Sequence, residues 1–366
     1  MPKKEAPVSA VRAVAYEIPT DAPESDGTLK WNSTTMVTVE IEAGGKTGFG
    51  LTYAHKTTAD LIAGKLAEVL EGRDAFAIRA NWHAMLAACR NLGRPGVASC
   101  AISACDVGLH DLVGKLLDEP TARLLGPCRE SVSIYGSGGF TSYDDARLEV
   151  QLGGWAEAGI GSVKMKVGRD AAADPHRVSV ARKAVGDETR LMVDANGGYD
   201  RKQALKLAED FAGQGVVWFE EPVSSDDLEG LRLLRDRMPA GMEVTAGEYG
   251  YDDFYFRRMI DAGAVDVLQA DATRCLGFTG YLLADALAHS ANLPLSSHCA
   301  PALHLPCAVA ALRQRHMEWF HDHVRIEAML LDGAPEPAGG RIAPDWSRPG
   351  IGLALKVADA EPYRIA

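Results

Sequence analysis

Three acidic residues stand at the ends of short apolar runs, Asp194 in MVDAN, Glu220 in WFEE and Glu248 in TAGE. Brought together, three carboxylates repel one another, so their convergence calls for a cation among them. Carboxylate oxygens without His or Cys suit a hard ion, magnesium (Mg2+) ahead of zinc, with manganese a feasible substitute. Lys164 and Lys166 in VKMKVG are two residues apart and share one face of a strand. Neighbouring ammonium groups disfavour each other's charge, which predicts a lowered proton affinity at Lys166, a base there, and Lys164 as its electrostatic partner. His298 and Asp271 form a second candidate pair, because an imidazole whose other N–H meets a carboxylate is a better base.

For these residues to meet, the elements carrying them must end in one place. Asp194, Glu220, Glu248, Asp271, His298 and Glu318 follow one another at intervals of 26, 28, 23, 27 and 20 residues. Each interval is one βα unit, about 30 residues or somewhat fewer. Eight apolar runs read as strands: 131–136, 162–168, 191–196, 216–221, 243–248, 265–271, 293–298 and 316–320. Linked by helical stretches, they should be parallel, and closure into a barrel removes both edges; an open doubly wound sheet is the competing architecture. In a barrel the carboxyl ends of all strands surround a single mouth. Lys164 and Lys166 would point into it, with Val163, Met165 and Val167 against the outer helices.

The first 127 residues have a different texture. MVTVEIE at 36–42 alternates apolar and polar side chains and precedes Gly44-Gly45, which predicts a half-exposed antiparallel strand and a hairpin turn. From Thr58 to Leu125 the apolar spacing is helical and stops at Gly126-Pro127, so a small α+β domain is expected. The polar stretch Thr20 to Trp31, with Asp21, Glu24 and Asp26, reads as a solvated loop or a lid. His321, Asp322 and His323 run past the last strand and read as surface or loop groups.

A formal charge of −12 argues against nucleic acid and anionic membranes as partners, and it also requires a local cation if a small anion is to bind. The opening residues have no apolar h-region, and seven scattered cysteines include no C-x-x-C pair, which predicts reduced thiols in a cytoplasmic protein. Cys299 stands out only by its place beside His298. Gly44-Gly45-Lys46-Thr47 has Glu40 where a phosphate-binding loop needs its first glycine, and Gly136-x-Gly138-Gly139 is too short for a dinucleotide fingerprint.

Residues 128 to about 325 closely resemble the barrel of the enolase superfamily, specifically its mandelate racemase subgroup. The resemblance rests on K-x-K (Lys164, Lys166), D-x-N (Asp194, Asn196), E-E-P (Glu220 to Pro222), G-E (Gly247-Glu248), the Asp271 and His298 pair, and Glu318, all in order. It implies an α/β fold: a modified TIM (β/α)7β barrel at 128–325, an α+β capping domain at 1–127 whose 20–31 loop covers substrate, a C-terminal segment at 326–366 packing back on the cap, and a homo-oligomer. It also implies that Mg2+ on Asp194, Glu220 and Glu248 stabilises an enediolate formed by removing the proton next to a carboxylate, with Lys164 and Glu318 holding the second carboxylate oxygen. Lys166 and His298 across the mouth then allow either dehydration of a sugar acid, aldonate or aldarate, to a 2-keto-3-deoxy acid, or racemisation of a hydroxy or amino acid. Polar groups at Ser137, Thr141, Asn196 and Asn32 favour the sugar acid, whereas an apolar wall of Trp31, Tyr53 and Trp319 would favour the racemase. A barrel that had lost its chemistry would be expected to have lost a ligand or base, and this sequence retains them all.

Overall fold

The computed structural model describes residues 5–365. Three long strands open the chain, β1 (Val8–Ser25), β2 (Lys30–Ala43) and β3 (Lys46–Tyr53), paired antiparallel in that order. Gly44 and Gly45, at φ 56° and 75°, make the β2–β3 turn, a conformation that glycine adopts without steric cost. The expected half-exposed strand holds only at its far end, where Glu40 is exposed. Val37, Val39 and Ile41 pack in the cap's own core, while Met36, with Tyr16, Ile18 and Leu51, joins the barrel core. The sheet is therefore covered on both faces near the barrel.

The stretch 20–31 is not a loop. β1 runs to Ser25 and β2 starts at Lys30, with Glu24 opposite Trp31 and Ser25 opposite Lys30, so the lid is a two-stranded flap with its turn at 26–29. Asp26 makes the turn: its Oδ1 accepts the N–H groups of Thr28 (2.7 Å) and Leu29 (2.6 Å). A register shift between Pro19 and Glu24 absorbs the residues that read as irregular.

The helix Val97–Leu117 lies across this sheet. It is long and apolar enough to cross a membrane by composition, but 89% of its most apolar window is buried within the protein. Its Asp111 ties the chain's end to the cap, accepting N–H bonds from Phe49 (2.6 Å) and Ile351 (2.7 Å).

Eight parallel strands follow in series: β4 (Val132–Gly138), β5 (Ser162–Lys166), β6 (Arg190–Asp194), β7 (Val216–Glu220), β8 (Glu243–Ala246), β9 (Val267–Ala270), β10 (Leu295–Ser297) and β11 (Gln314–Phe320). β11 pairs parallel with β4, Met317 opposite Ile134 through Phe320 opposite Ser137, which closes the barrel and excludes the open sheet. Val163, Met165 and Val167 pack outward in the helix-facing core, and Tyr135, Met192, Trp218 and Val267 fill the interior below the mouth. The helix His321–Leu330 continues directly from β11, so the division expected at 325/326 falls inside a helix.

Candidate active site

The strand ends converge as the spacing predicts. Asp194 and Glu220 are the last residues of β6 and β7, Glu248 lies two beyond β8, Asp271 and His298 directly follow β9 and β10, and Glu318 lies within β11. One oxygen each from Asp194, Glu220 and Glu248 falls within a mutual 4.8 Å, and all three side chains are buried. Two features fit this set to a hard divalent ion. Glu248 Oε2 is buried and accepts no hydrogen bond, with His298 Nε2 3.3 Å away, and Asn196 Oδ1 is buried without a partner. Each carboxylate also keeps lone pairs beyond those its protein partners use.

Lys164 Nζ sits 2.6 Å from Glu220 Oε1, 2.8 Å from Glu318 Oε1 and 3.7 Å from Asp194 Oδ2. It is fully buried beneath the mouth. Burial opposes its charge, but Glu220 and Glu318 outweigh burial and raise its proton affinity well above the ordinary value. Lys166 Nζ donates to Asp194 Oδ2 at 2.5 Å. Its expected lowered affinity is reversed: burial and Lys164 do work against the charge, but the Asp194 carboxylate overrides both. The two residues are register neighbours on β5 and β6, a pairing that spacing along one strand does not reveal.

Glu220, buried and beside Asp194, is pushed up to about 7 despite Lys164. Glu318 is held well below the usual carboxylate range, burial being outweighed by Lys164 and His298. Ser137 Oγ donates to Glu318 Oε1 at 2.6 Å and is fully buried, so it steadies that carboxylate from below.

The expected dyad is present. His298 Nδ1 lies 2.8 Å from Asp271 Oδ2, and Thr273 N–H donates to Asp271 Oδ1 at 2.7 Å. Burial disfavours charge on His298, but Cys299, Glu248 and the bond to Asp271 raise its proton affinity well above that of a free imidazole. Nδ1 being engaged, Nε2 is left toward the mouth, 3.3 Å from Glu248 Oε2.

These groups border a cavity of about 430 Å³ under the flap, lined by Lys166, Asn196, Glu248, Asp271, His298 and Glu318 from the barrel and by Trp31, Ser33, Thr34, Thr35, Tyr53 and His55 from the cap. Trp31 packs edge-on against Phe140 at 5.5 Å, its Nε1–H donating to Glu24 Oε2 at 2.7 Å. Trp319 is not part of this wall. With Glu318 inward its neighbour must face out, and Trp319 packs with Val132 and Ile160. Thr141 anchors the flap, its Oγ1 2.6 Å from Ser25 Oγ.

His323 and Arg274 line the cavity although the sequence analysis did not place them there. His323 was expected at the surface, but it is buried and stacks on Tyr53 with ring centroids 3.6 Å apart. Asp322 is fully buried as well, accepting from Thr34 Oγ1 and paired with Arg325 at 2.6 Å. Both begin the helix after β11, the same strand-end position that marked the other site residues. Arg274 also borders the cavity, its Nη1 3.1 Å from the Glu248 carbonyl and its Nε 3.5 Å from Asp271 Oδ2. Its place three residues after Asp271 was the available signal.

Comparison with known proteins agrees with this geometry. Residues 147–360 match the family model described as enolase C-terminal domain-like, and residues 11–126 match the mandelate racemase / muconate lactonizing enzyme N-terminal domain. A mandelate racemase/muconate lactonizing enzyme-like protein from Rubrobacter xylanophilus superposes with TM-score 0.96 at 50% identity over 98% of this chain and 99% of its own. The 3,6-anhydro-alpha-L-galactonate cycloisomerase of Streptomyces coelicolor is 31% identical over 94% of this chain and 98% of its own length. L-talarate/galactarate dehydratase from Salmonella typhimurium LT2 superposes with TM-score 0.91 at 28% identity over 100% of this chain and 93% of its own. A mutant L-talarate/galactarate dehydratase has been solved with Mg and L-glucarate.

Proposed function

Because the chain belongs to the mandelate racemase / muconate lactonizing enzyme family of the enolase superfamily, we propose that it is a magnesium-dependent lyase that dehydrates a sugar acid to a 2-keto-3-deoxy acid. The observation that carries this reading is the shared cavity: Lys166 and the Asp271–His298 pair border the same space as Glu248 and Asn196, from non-adjacent strands. Magnesium on Asp194, Glu220 and Glu248 would supply Lewis acidity to the substrate carboxylate and take up the Asp194 charge that otherwise keeps Lys166 protonated.

Lys166 Nζ then accepts the proton from the carbon next to the carboxylate, leaving an enediolate. Lys164, fixed between Glu220 and Glu318, contributes a buried positive charge beneath the developing negative one. His298, whose Nδ1–H is held by Asp271, presents a proton on Nε2 to the departing β-hydroxyl, which leaves as water. Its raised proton affinity suits an acid in that position. The enol tautomerises to the 2-keto acid.

A polyhydroxylated substrate accords with the lining. Asn196 Oδ1 and Tyr53 Oη are buried polar atoms without protein partners, and Thr35, Ser33 and His55 add polar groups from the cap. Buried polar atoms of this kind discriminate strongly for a ligand that can hydrogen-bond them.

The test is a screen of the magnesium-loaded protein against aldonates and aldarates, reading 2-keto acids as semicarbazones and exchange of the proton next to the carboxylate in deuterated water. A 2-keto acid product with exchange is expected. Exchange without a keto product would replace dehydration by racemisation, and neither with any acid would overturn the reading.

A further inference from the structure

Beside the carboxylate triad stands a second trio that the proposed reaction leaves incompletely used. His298, Cys299 and Glu318 each offer one ligand atom, all within a mutual 4.8 Å, and all three border the active-site cavity. Cys299 Sγ lies 3.2 Å from His298 Nε2, and His298 Nε2 lies 3.9 Å from Glu318 Oε2. A tetrahedral ion with Zn–S of about 2.3 Å and Zn–N of about 2.0–2.1 Å holds its ligands about 3.3–3.6 Å apart, so the trio needs only small side-chain shifts to close on one.

The thiol is held in place. Cys299 has φ 51°, in the left-handed region that non-glycine residues rarely adopt, and its N–H donates to Glu318 Oε2 at 2.8 Å. Five of the other cysteines, Cys89, Cys100, Cys105, Cys275 and Cys307, are buried away from this cavity, and Cys128 is exposed elsewhere. The donor sets of the two clusters also differ in kind. Oxygen-only ligands favour a hard ion, whereas a sulfur, a nitrogen and one carboxylate with an open fourth position favour zinc.

We propose that His298, Cys299 and Glu318 form a second metal site, selective for zinc-like ions, whose occupation blocks the active site. Binding displaces the thiol proton of Cys299 and the Nε2 proton of His298, both of which leave to solvent, and captures the imidazole nitrogen that faces the cavity. The inhibitory consequence rests on the role proposed above for His298; the site itself does not.

Cobalt(II) provides a readout independent of turnover, because a thiolate ligand gives an intense near-ultraviolet charge-transfer band that carboxylate ligands lack. The full chain, saturated with Mg2+ to fill the triad, is titrated with cobalt chloride. One band-forming equivalent per chain is expected, retained in Cys128→Ser and lost in Cys299→Ala. Zinc chloride should then inhibit the wild type, with Cys299→Ala at least about tenfold less sensitive relative to its own uninhibited rate, since even changes around a ligand cost 10–100-fold in affinity. Absence of the band in the wild type, or its persistence in Cys299→Ala, would overturn the site. Thiolate-bound cobalt together with zinc-insensitive turnover would uphold the site and overturn the role of His298.

Discussion

Asp271→Asn separates the dyad's electrostatics from its shape. Thr273 N–H donates to Asp271 Oδ1 at 2.7 Å, so the amide carbonyl of the variant is drawn to that side and its NH2 group must face His298 Nδ1. No other donor satisfies Oδ1 in its place: His304 Nε2, 3.5 Å away, is already accepting the N–H of Ala272 at 2.7 Å. The imidazole then has to accept at Nδ1 and carry its single proton on Nε2, and a second proton would set two donors against each other. Removing one partner of a buried ion pair costs about 3–5 kcal/mol. With that cost falling on the transition state, about 1.4 kcal/mol per tenfold makes it a loss of about 10² to 4 × 10³ in kcat/KM.

The assay is turnover of the best sugar acid on magnesium-loaded protein, with the His298 titration followed by nitrogen-labelled histidine NMR. Below its raised pKa wild-type His298 is charged, and this charge is lost as pH rises through that value. In Asp271→Asn the titration should move to lower pH. A kcat/KM within tenfold of wild type, or an unmoved titration, would refute the argument that Asp271 sets the proton on His298.

Glu220→Gln places an NH2 group against either Lys164 Nζ or Trp218 Nε1–H, both donors, 2.6 and 2.9 Å from the present oxygens; magnesium affinity by calorimetry should fall at least about tenfold, and an unchanged affinity would remove Glu220 from the ligand set. At Gly27, in the flap turn, an added Cβ would lie 2.1 Å from the Ala195 carbonyl oxygen. Gly27→Ala should therefore lift the flap and lower kcat/KM by about 10²-fold, and unaltered kinetics would mean that the flap need not seat. Glu327 has one oxygen on Ala302 N–H at 3.1 Å and one without a partner, and burial pushes its carboxyl up to about 8. The folded chain keeps that proton while the unfolded chain releases it above its ordinary 4.5, so the wild type loses about 1.4 kcal/mol per pH unit between those values. Glu327→Gln removes this loss, and its Tm advantage should grow from pH 5 to pH 8 and then level off; a constant difference would contradict the raised value.

What the sequence made legible is what depends on strand periodicity. Asp194, Glu220, Glu248, Asp271 and His298 each stand at or just past a strand's carboxyl end, and parallel closure brings those ends together whatever the intervening helices do. Lys164 and Lys166 follow from side-chain alternation alone. The same two rules, applied to β11, place His323 at the mouth and turn Trp319 outward. The protonation of Lys166 is different in kind. It depends on Asp194 across the β5–β6 pairing, and a nearest-neighbour reading of K-x-K gives the wrong sign.

The cap was harder to read for a physical reason. β1 carries Pro19, Asp21 and Pro23 within a register shift, residues that intrinsically disfavour a strand, and its pairing is held by tertiary contacts: Ser142 Oγ on the Pro23 carbonyl at 2.8 Å, Thr141 on Ser25, and Arg169 on the Asp26 and Leu29 carbonyls. Those contacts come from barrel loops, so the flap is steadied against the mouth that it covers. The division has a functional consequence. The groups proposed to move protons and hold the metal lie at barrel strand ends that periodicity fixes, while Trp31, Ser33, Thr35, Tyr53 and His55 reach the cavity from the cap. Substitutions in the cap should therefore change which acid the proposed enzyme accepts while the chemistry beneath it stays in place.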